Sequence, residues 1–426
     1  MARRRYWGLI SLVAAVAAVA LAVSGCSGRA SAAKHARPSP SHTASPAAEL
    51  TITPAGGHHV HPDKGVTVTA LYGKITSVTV RANKRDAPGD LSQGGSQWQT
   101  RYALEPGARY KVTATAVNTD GKAVTTTAAF TTLSPAMIMT PTLNVLDGET
   151  VGVGEPIVVQ FDHPVADKVA VERSLQVEAS EPVTGAWSWF GRQEVDFRPM
   201  TYWPAHTRVR LNFHAAGLRG SDGAYATQNV ITHFSIGASQ ITVVNTRTHR
   251  LYYYLNGKRH WNWPESSGMH EINPVTGNWF DTEAGTFVVL YKKNPEIMSS
   301  ASFGIKNGPF SFPKTPVYDA VKFTPSGNYV HSAPWSVGEQ GYVNVSHGCV
   351  NLSPDRAELY YNRAQVGDIV VIKRSPVKAA PDDKTDWMYS WHKWLSHSEL
   401  GAVTTSSLGQ GAAPARAGLV IPPSAG

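Results

Sequence analysis

The sequence predicts a mainly β protein. Three observations carry that reading. Short runs alternate apolar residues with Thr and other polar residues, and turn signals separate the runs at close intervals. Gly and Pro number 37 and 28 of 426 residues, while charged residues make up only 16%. That blend suits strands and turns better than long surface helices. A 42% hydrophobic content supplies several cores, and the length predicts about three domains. Two cysteines exclude a disulfide-framed scaffold and any cysteine-rich zinc or iron–sulfur module. The net charge of +8 is uneven, because residues 1–48 hold Arg3, Arg4, Arg5, Arg29, Lys34 and Arg37 and no acid. The remaining chain is nearly balanced, which argues against a nucleic-acid partner.

In chain order, Arg3–Arg5 precede an uncharged apolar run from Trp7 to Val23, which ends at Val23-Ser24-Gly25-Cys26. Basic residues, an apolar core and then small residues form a secretory signal, short for a spanning helix. The ending resembles the lipobox of bacterial lipoproteins, which implies signal cleavage after residue 25 and lipidation of Cys26. An uncleaved signal anchor competes with that reading. Both place the rest of the chain outside the cytoplasmic membrane. Residues 27–48 are rich in Ser, Ala and Pro and are expected to be a flexible tether, and residues 401–426 a mobile tail of the same composition.

Residues 49–135 alternate as strands at Leu50–Thr53, Val66–Thr69 and Tyr110–Ala114, with a hairpin through Asn118–Gly121 into Val124–Phe130. This style predicts an immunoglobulin-like β-sandwich. His58, His59 and His61 sit in a loop with no metal-ligand spacing, so solvated loop histidines are the reading adopted. Residues 136–237 repeat the style. Glu155–Phe161 is a strand, and Trp187, Trp189, Val195 and Phe197 alternate across a hairpin at Gly191-Arg192, giving a second sandwich. Gly152-x-Gly154 is no nucleotide loop, since it precedes a strand and lacks a third glycine.

Residues 238–374 form a third unit. Ile241–Asn245 and Leu251–Leu255 are strands, the second leading into an Asn256-Gly257 hairpin turn, and Thr286–Tyr291 is another. Ser353-Pro354-Asp355 predicts a Ser-capped helix running to Arg363, followed by a Gly367-Asp368 turn and a strand at Ile369–Lys373. In residues 375–400, Trp387, Trp391 and Trp394 fall at i, i+4 and i+7, one apolar stripe on a C-terminal helix that packs on the preceding domain.

The chemistry concentrates in this third unit. His331-Ser332-Ala333-Pro334-Trp335 is followed by Asn344-Val345-Ser346-His347-Gly348-Cys349-Val350-Asn351. A thiol attacks as thiolate, a nearby histidine takes its proton, and a third group fixes the imidazole tautomer. Gly348 lets backbone pass close to a substrate, so amides at Gly348 and Cys349 can face an oxyanion. Spacing leaves the base open between His331 and His347. A zinc site from His331, His347 and Cys349 has no supporting acid or second cysteine, and a buried inert cysteine is the plain alternative.

This string resembles the catalytic signature of bacterial L,D-transpeptidases of the YkuD type. There a His and a spacer precede Ser/Thr-His-Gly-Cys, one apolar residue and Asn. His331–Gly338 is most similar to actinobacterial members that carry two immunoglobulin-like domains before the catalytic one. The resemblance implies a mostly β catalytic domain with Cys349 as nucleophile and His331 as base, oriented by the Ser332 carbonyl. His347 and Asn351 would shape the site and hold the loop, and the Gly348 and Cys349 amides would contribute to the oxyanion hole. Met298, Phe303 and Tyr318 fall where the family has a flap over the substrate, and Trp335 and Asn344 match positions near the site. The flap departs from the family pattern: Phe303 stands where a Tyr is often found, and Pro313 lies near a second such Tyr.

The implied partners are peptidoglycan stem peptides, a tetrapeptide donor and the amine of a neighbouring diamino acid as acceptor. The product would be a 3→3 cross-link, with D-Ala released and no cofactor or metal. Carbapenems would acylate Cys349 as donor mimics. A catalytically silent wall-binding lipoprotein, an L,D-carboxypeptidase and a protein-attaching enzyme are the alternative functions. The domain order suggests that the 22-residue tether, roughly 25 Å as a coil, and the two sandwiches hold the catalytic unit away from the membrane toward the wall.

Overall fold

The computed structural model describes residues 44–382 and 384–408. The apolar N-terminal run, Cys26, most of the Pro-rich stretch and the chain beyond 408 lie outside the described residues. Among the described residues, no helix is long and apolar enough to cross a membrane.

The first sandwich pairs one sheet of Glu49–Thr53, Thr67–Leu71, Gln97–Thr100 and Gly89–Leu91 with a second of Arg85–Asp86, Lys74–Ala82, Arg109–Val117 and Ala123–Thr131. Alternation along the strands turns Val66, Val68, Trp98, Val112 and Phe130 into a common core. The Asn118–Gly121 turn forms because the Asn118 side-chain oxygen accepts the amides of Asp120 and Lys122 and Gly121 takes φ +76°. This turn also captures residues assigned to the tether. The Ser45 amide and hydroxyl both donate to the Asp120 carboxylate at 2.8 Å, so the ordered chain begins before the expected 49.

The second sandwich has two five-stranded sheets. Thr184–Phe190 and Glu194–Pro199 form the expected hairpin, with Trp187 opposite Phe197 and Trp189 opposite Val195. A short helix, Lys168–Ser174, was not legible in the sequence; Asp167 caps it by accepting the Ala170 amide. One outer strand of each sheet comes from residues 403–407. Val403–Thr404 pairs with the Thr184 strand and Ser406–Ser407 with the Leu175–Ala179 strand. The segment expected to be a mobile tail is therefore fixed over Gly401–Leu408, because two exposed sheet edges are available for it to cover.

Around this return, the Trp stripe differs from expectation. Asp386–Met388 is a 3-10 turn and Trp391–Leu395 a separate helix capped by Ser390, so no single helix carries the three tryptophans. They converge instead on Arg198 of the second sandwich, whose guanidinium lies 4.6 Å from the Trp387 and Trp394 rings and 5.5 Å from Trp391. Trp387 donates to the Gly154 carbonyl and Trp394 to that of Ala186. The buried Glu172 carboxylate accepts from Trp189, Ser398, Glu399 and Leu400. The tryptophans thus pack on the second sandwich, while the Asp386–Met388 turn that carries Trp387 also lies against the Gly285–Val288 strand of the third unit.

The third unit stacks a five-stranded sheet (Lys258–Pro264, Arg250–Leu255, Gln240–Asn245, Ile369–Lys373, Gly285–Val288) near a four-stranded one (Tyr291–Lys293, Ala320–Lys322, Tyr329–Ser332, Val350–Leu352). The run expected as one strand at Thr286–Tyr291 breaks at Val289-Leu290 and serves both sheets. Asn256 and Gly257 adopt φ +48° and +78°, the two-residue turn their sequence favours. The helix spans Pro354–Arg363. Ser353 precedes it without capping a backbone amide, since its hydroxyl donates to Asp355 at 2.5 Å.

The second sandwich and this unit share a core: Val288 and Ile369 belong to the same buried cluster as Ile157, Phe197 and Trp203. The two glycines of Gly152-x-Gly154 explain how. A Cβ on Gly152 would lie 2.2 Å from the Asp368 amide nitrogen, and one on Gly154 2.2 Å from Ile369 Cδ1. Their amides donate to Val366 and Gly367 carbonyls at 2.7 and 2.9 Å. Glu155, next in sequence, is buried at this junction, and burial pushes its carboxyl up to about 8. Below about pH 4 this carboxyl is protonated in folded and unfolded chains alike. As pH rises toward 8 the unfolded chain sheds the proton first, so stability is lost. Glu155→Gln, which keeps the oxygen that Asn144 binds, is expected to leave the melting temperature unchanged near about pH 4 and to raise it near about pH 9, a stabilisation of about a few kcal/mol at most. Thermal melts across pH check this.

Candidate active site

The site rests on two short parallel strands. Tyr329–Ser332 pairs with Val350–Leu352 in the register Val330↔Val350, His331↔Asn351 and Ser332↔Leu352. Residues two apart share a face of a strand, so Tyr329 and His331 lie on the face that Asn351 and, by the same parity, Cys349 occupy. Cys349 stands one step before the first pair, and the Tyr329 backbone N–H faces its sulfur. His331 is buried, and its Nδ1 lies 2.9 Å from the Ser332 carbonyl. A carbonyl only accepts, so Nδ1 carries the hydrogen and Nε2 is left as the acceptor. Trp335 follows, 59% exposed, with its ring 6.0 Å from that of His331.

The Ser346–Cys349 turn is stitched by its own hydroxyl. Ser346 Oγ accepts the Gly348 amide at 3.1 Å and donates to the Cys349 carbonyl at 2.6 Å. Gly348 takes φ +126°, a region that favours glycine. Its carbonyl accepts from Thr282 Oγ1 at 2.7 Å and Asn328 Nδ2 at 2.8 Å. The Gly348 amide is thus occupied and does not serve as the expected oxyanion donor, whereas the Cys349 amide has no partner among the described residues. Behind the turn lies Glu265–Gly268. The Ser266 amide and carbonyl pair with Asn351, and the Met269 amide donates to Ser346.

Asn344, Asn351 and His347 spend their side chains on neighbouring segments of the fold. The Asn344 side chain is committed to the fold: its oxygen accepts from the Ser267 amide and contacts His249 Nδ1, and its nitrogen donates to Thr246. Asn351 Nδ2 donates to Ser336 Oγ, tying the strand to the loop after His331. His347 is caged by Phe280, Phe303, Phe310 and Phe312, at ring distances of 4.8, 5.6, 6.3 and 5.4 Å. Burial lowers its pKa. Phe303, expected over the substrate, is one wall of this cage. Met298 ends the strand Glu296–Met298, which pairs with Thr315–Val317. Tyr318 follows that pair, 55% exposed, and its carbonyl accepts the Ser332 amide at 3.0 Å. The flap base and the catalytic strand are thereby joined. Sequence reasoning missed Thr282, Asn328 and the phenylalanines at 280, 310 and 312, which sit in no motif with Cys349.

Burial works on Cys349 and His331 in opposite senses. It pushes the Cys349 thiol up to about 11, against the pull of the Tyr329 amide. It pushes His331 down to about 4, against the Ser332 carbonyl. Both disfavour charge, so the resting pair is neutral thiol and neutral imidazole. The thiol remains partly exposed and reachable. Alkylation of Cys349 by iodoacetamide is expected to keep rising through about pH 9 and beyond, since the thiolate fraction grows until about 11. A plateau at neutral pH in stopped-time mass measurements would show a preformed ion pair instead.

Comparison with known proteins adds three findings. The model of the L,D-transpeptidase catalytic domain matches residues 239–372, and that of a bacterial Ig domain matches residues 57–219. The chain is 36% identical over 343 residues to L,D-transpeptidase 2 of Mycobacterium tuberculosis, covering 80% of this chain and 82% of that protein. It is 32% identical over 390 residues to L,D-transpeptidase 5 of the same species, covering 88% of this chain and 81% of that protein. Among solved structures, L,D-transpeptidase 3 of Mycobacterium tuberculosis, in complex with a faropenem-derived adduct, is 29% identical, with TM-score 0.45 over 56% of this chain and 99% of that one.

Proposed function

The chain belongs to the L,D-transpeptidase family, and from that premise we propose that it forms 3→3 cross-links in peptidoglycan through a thioester on Cys349. The observation that supports this most is the His331 tautomer. Nδ1–H is committed to the Ser332 carbonyl at 2.9 Å, which leaves Nε2 as the only basic position of a neutral, buried ring beside the Cys349 strand. Nε2 takes the thiol proton as sulfur attacks the carbonyl of the third residue of a tetrapeptide stem. A preformed thiolate is not needed, because proton transfer accompanies attack. The new oxyanion faces the Cys349 amide. Collapse expels D-Ala, whose amine receives the proton from imidazolium His331. An acceptor diamino acid then attacks the thioester, gives its proton back through His331 and leaves the thiol free.

The carbonyl of Ser332 does the orienting that a carboxylate does in other triads. A neutral partner leaves His331 with no stabilising charge, consistent with the low pKa of the ring. Cys26 would anchor the chain by lipid to the outer face of the membrane, facing the wall. A carbapenem presents a strained carbonyl to the same thiol. Intact-mass analysis after incubation with imipenem should show one adduct on the wild-type protein and none on Cys349→Ala. His331→Ala should lose cross-linking by about 10²-fold or more with the melting temperature retained. An unmodified, folded wild type would overturn the assignment, and retained turnover in His331→Ala would move the base elsewhere.

A further inference from the structure

Gly348 and Cys349 together present four backbone hydrogen-bonding groups. Three are spent: the Gly348 amide on Ser346 Oγ, the Gly348 carbonyl on Thr282 and Asn328, and the Cys349 carbonyl on Ser346 Oγ. The fourth, the Cys349 amide, is without a partner among the described residues. The Gly348 carbonyl and the Cys349 amide belong to one planar trans peptide, so they point in opposite directions. Fixing the carbonyl fixes the amide.

We infer that Thr282 and Asn328 are positioning residues that aim the Cys349 N–H at the oxyanion of the acyl-transfer step by clamping the Gly348 carbonyl from its far side. The inference rests on the reading of Cys349 as an acyl-transfer nucleophile. Both clamps are themselves held. Thr282 Oγ1 accepts the Gly268 amide at 2.9 Å, which directs its hydrogen to Gly348 at 2.7 Å. Asn328 is set by a tight turn, its amide donating to Thr324 Oγ1 at 2.8 Å and its carbonyl accepting the Phe323 amide at 3.0 Å. A Cβ on Gly348 would lie 3.2 Å from Asn328 Nδ2, so the glycine also admits the clamp. The residues come from separate segments, 66 and 20 positions before Gly348. Two donors on one carbonyl resist rotation of the peptide plane, which φ +126° alone would permit in a glycine. An oxyanion donor is effective when oriented beforehand rather than during the reaction.

The test separates sulfur reactivity from oxyanion stabilisation. Iodoacetamide alkylates a thiolate without forming an oxyanion, whereas imipenem acylates through one. The purified protein, Asn328→Ala, Thr282→Val and Thr282→Ser are each timed by intact mass with both reagents. Asn328→Ala and Thr282→Val should each slow acylation about 10-fold, and the double variant about 10²-fold, with alkylation and its pH profile unchanged. Thr282→Ser, which keeps the hydroxyl, should acylate as wild type does. Equal slowing of both reactions would make the residues merely structural and overturn the inference, as would unchanged acylation. If Thr282→Val fails to fold, Asn328→Ala decides alone. A folded wild type that is alkylated but never acylated overturns the acyl-transfer reading, and this inference with it.

Discussion

The parallel pairing of Tyr329–Ser332 with Val350–Leu352 is the constraint on which the site depends. Antiparallel neighbours can be joined by two residues, but parallel ones need a crossover of a dozen or more. The stretch from Ala333 to Cys349 is that crossover. It carries a 3-10 turn at Pro334–Ser336 rather than a helix, and it returns to place Cys349 beside Tyr329 and Asn351 across from His331. The long spacer between histidine and cysteine is therefore a topological requirement. The same crossover is tied down by Asn351 to Ser336, Asn344 to Thr246 and Ser266 to Val343. Several residues of the motif thus hold the crossover still, leaving Cys349 and His331 as the pair proposed to react.

Burial then sets the chemistry. Half-buried Cys349 and buried His331 rest neutral, and the fold supplies fixed dipoles in place of counter-charges: the Ser332 carbonyl on His331 and the Tyr329 amide on Cys349. Such groups need no reorganisation as charge develops. Nothing in this arrangement commits an acid to the reaction, although Glu265 lies buried behind the turn with its carboxyl pushed up to about 8 and one oxygen bonded to Ser267.

Much of this was legible in the sequence because local chemistry agreed with the fold. Asn256-Gly257, the helix from Pro354 to Arg363 and the Ile369–Lys373 strand follow from turn residues, the helix-starting Pro354 and apolar runs. Cys349 and His331 were marked by the company of Ser346 and Gly348. What escaped was everything set by distant contact. Thr282 and Asn328 are ordinary polar residues in sequence and acquire meaning only at the Gly348 carbonyl. Asn344 and His347 resembled site residues, but their surroundings, a backbone lattice and a phenylalanine cage, come from other segments. The tryptophans kept a helical spacing yet meet around Arg198 across two separate pieces. Residues 401–408 read as linker and supply two short strands because they meet two open sheet edges.

The shared core at Gly152-x-Gly154 makes the second sandwich a foundation for the catalytic unit. The central claim is that Cys349 takes the acyl group of a tetrapeptide stem with loss of D-Ala. Its most direct measurement is a single-turnover incubation with a disaccharide-tetrapeptide and no acceptor, quantifying free D-Ala and the protein's mass together. A burst of one D-Ala per protein is expected, with a matching adduct, the donor less D-Ala, on Cys349. Folded protein that releases no D-Ala and keeps an unmodified thiol would contradict it.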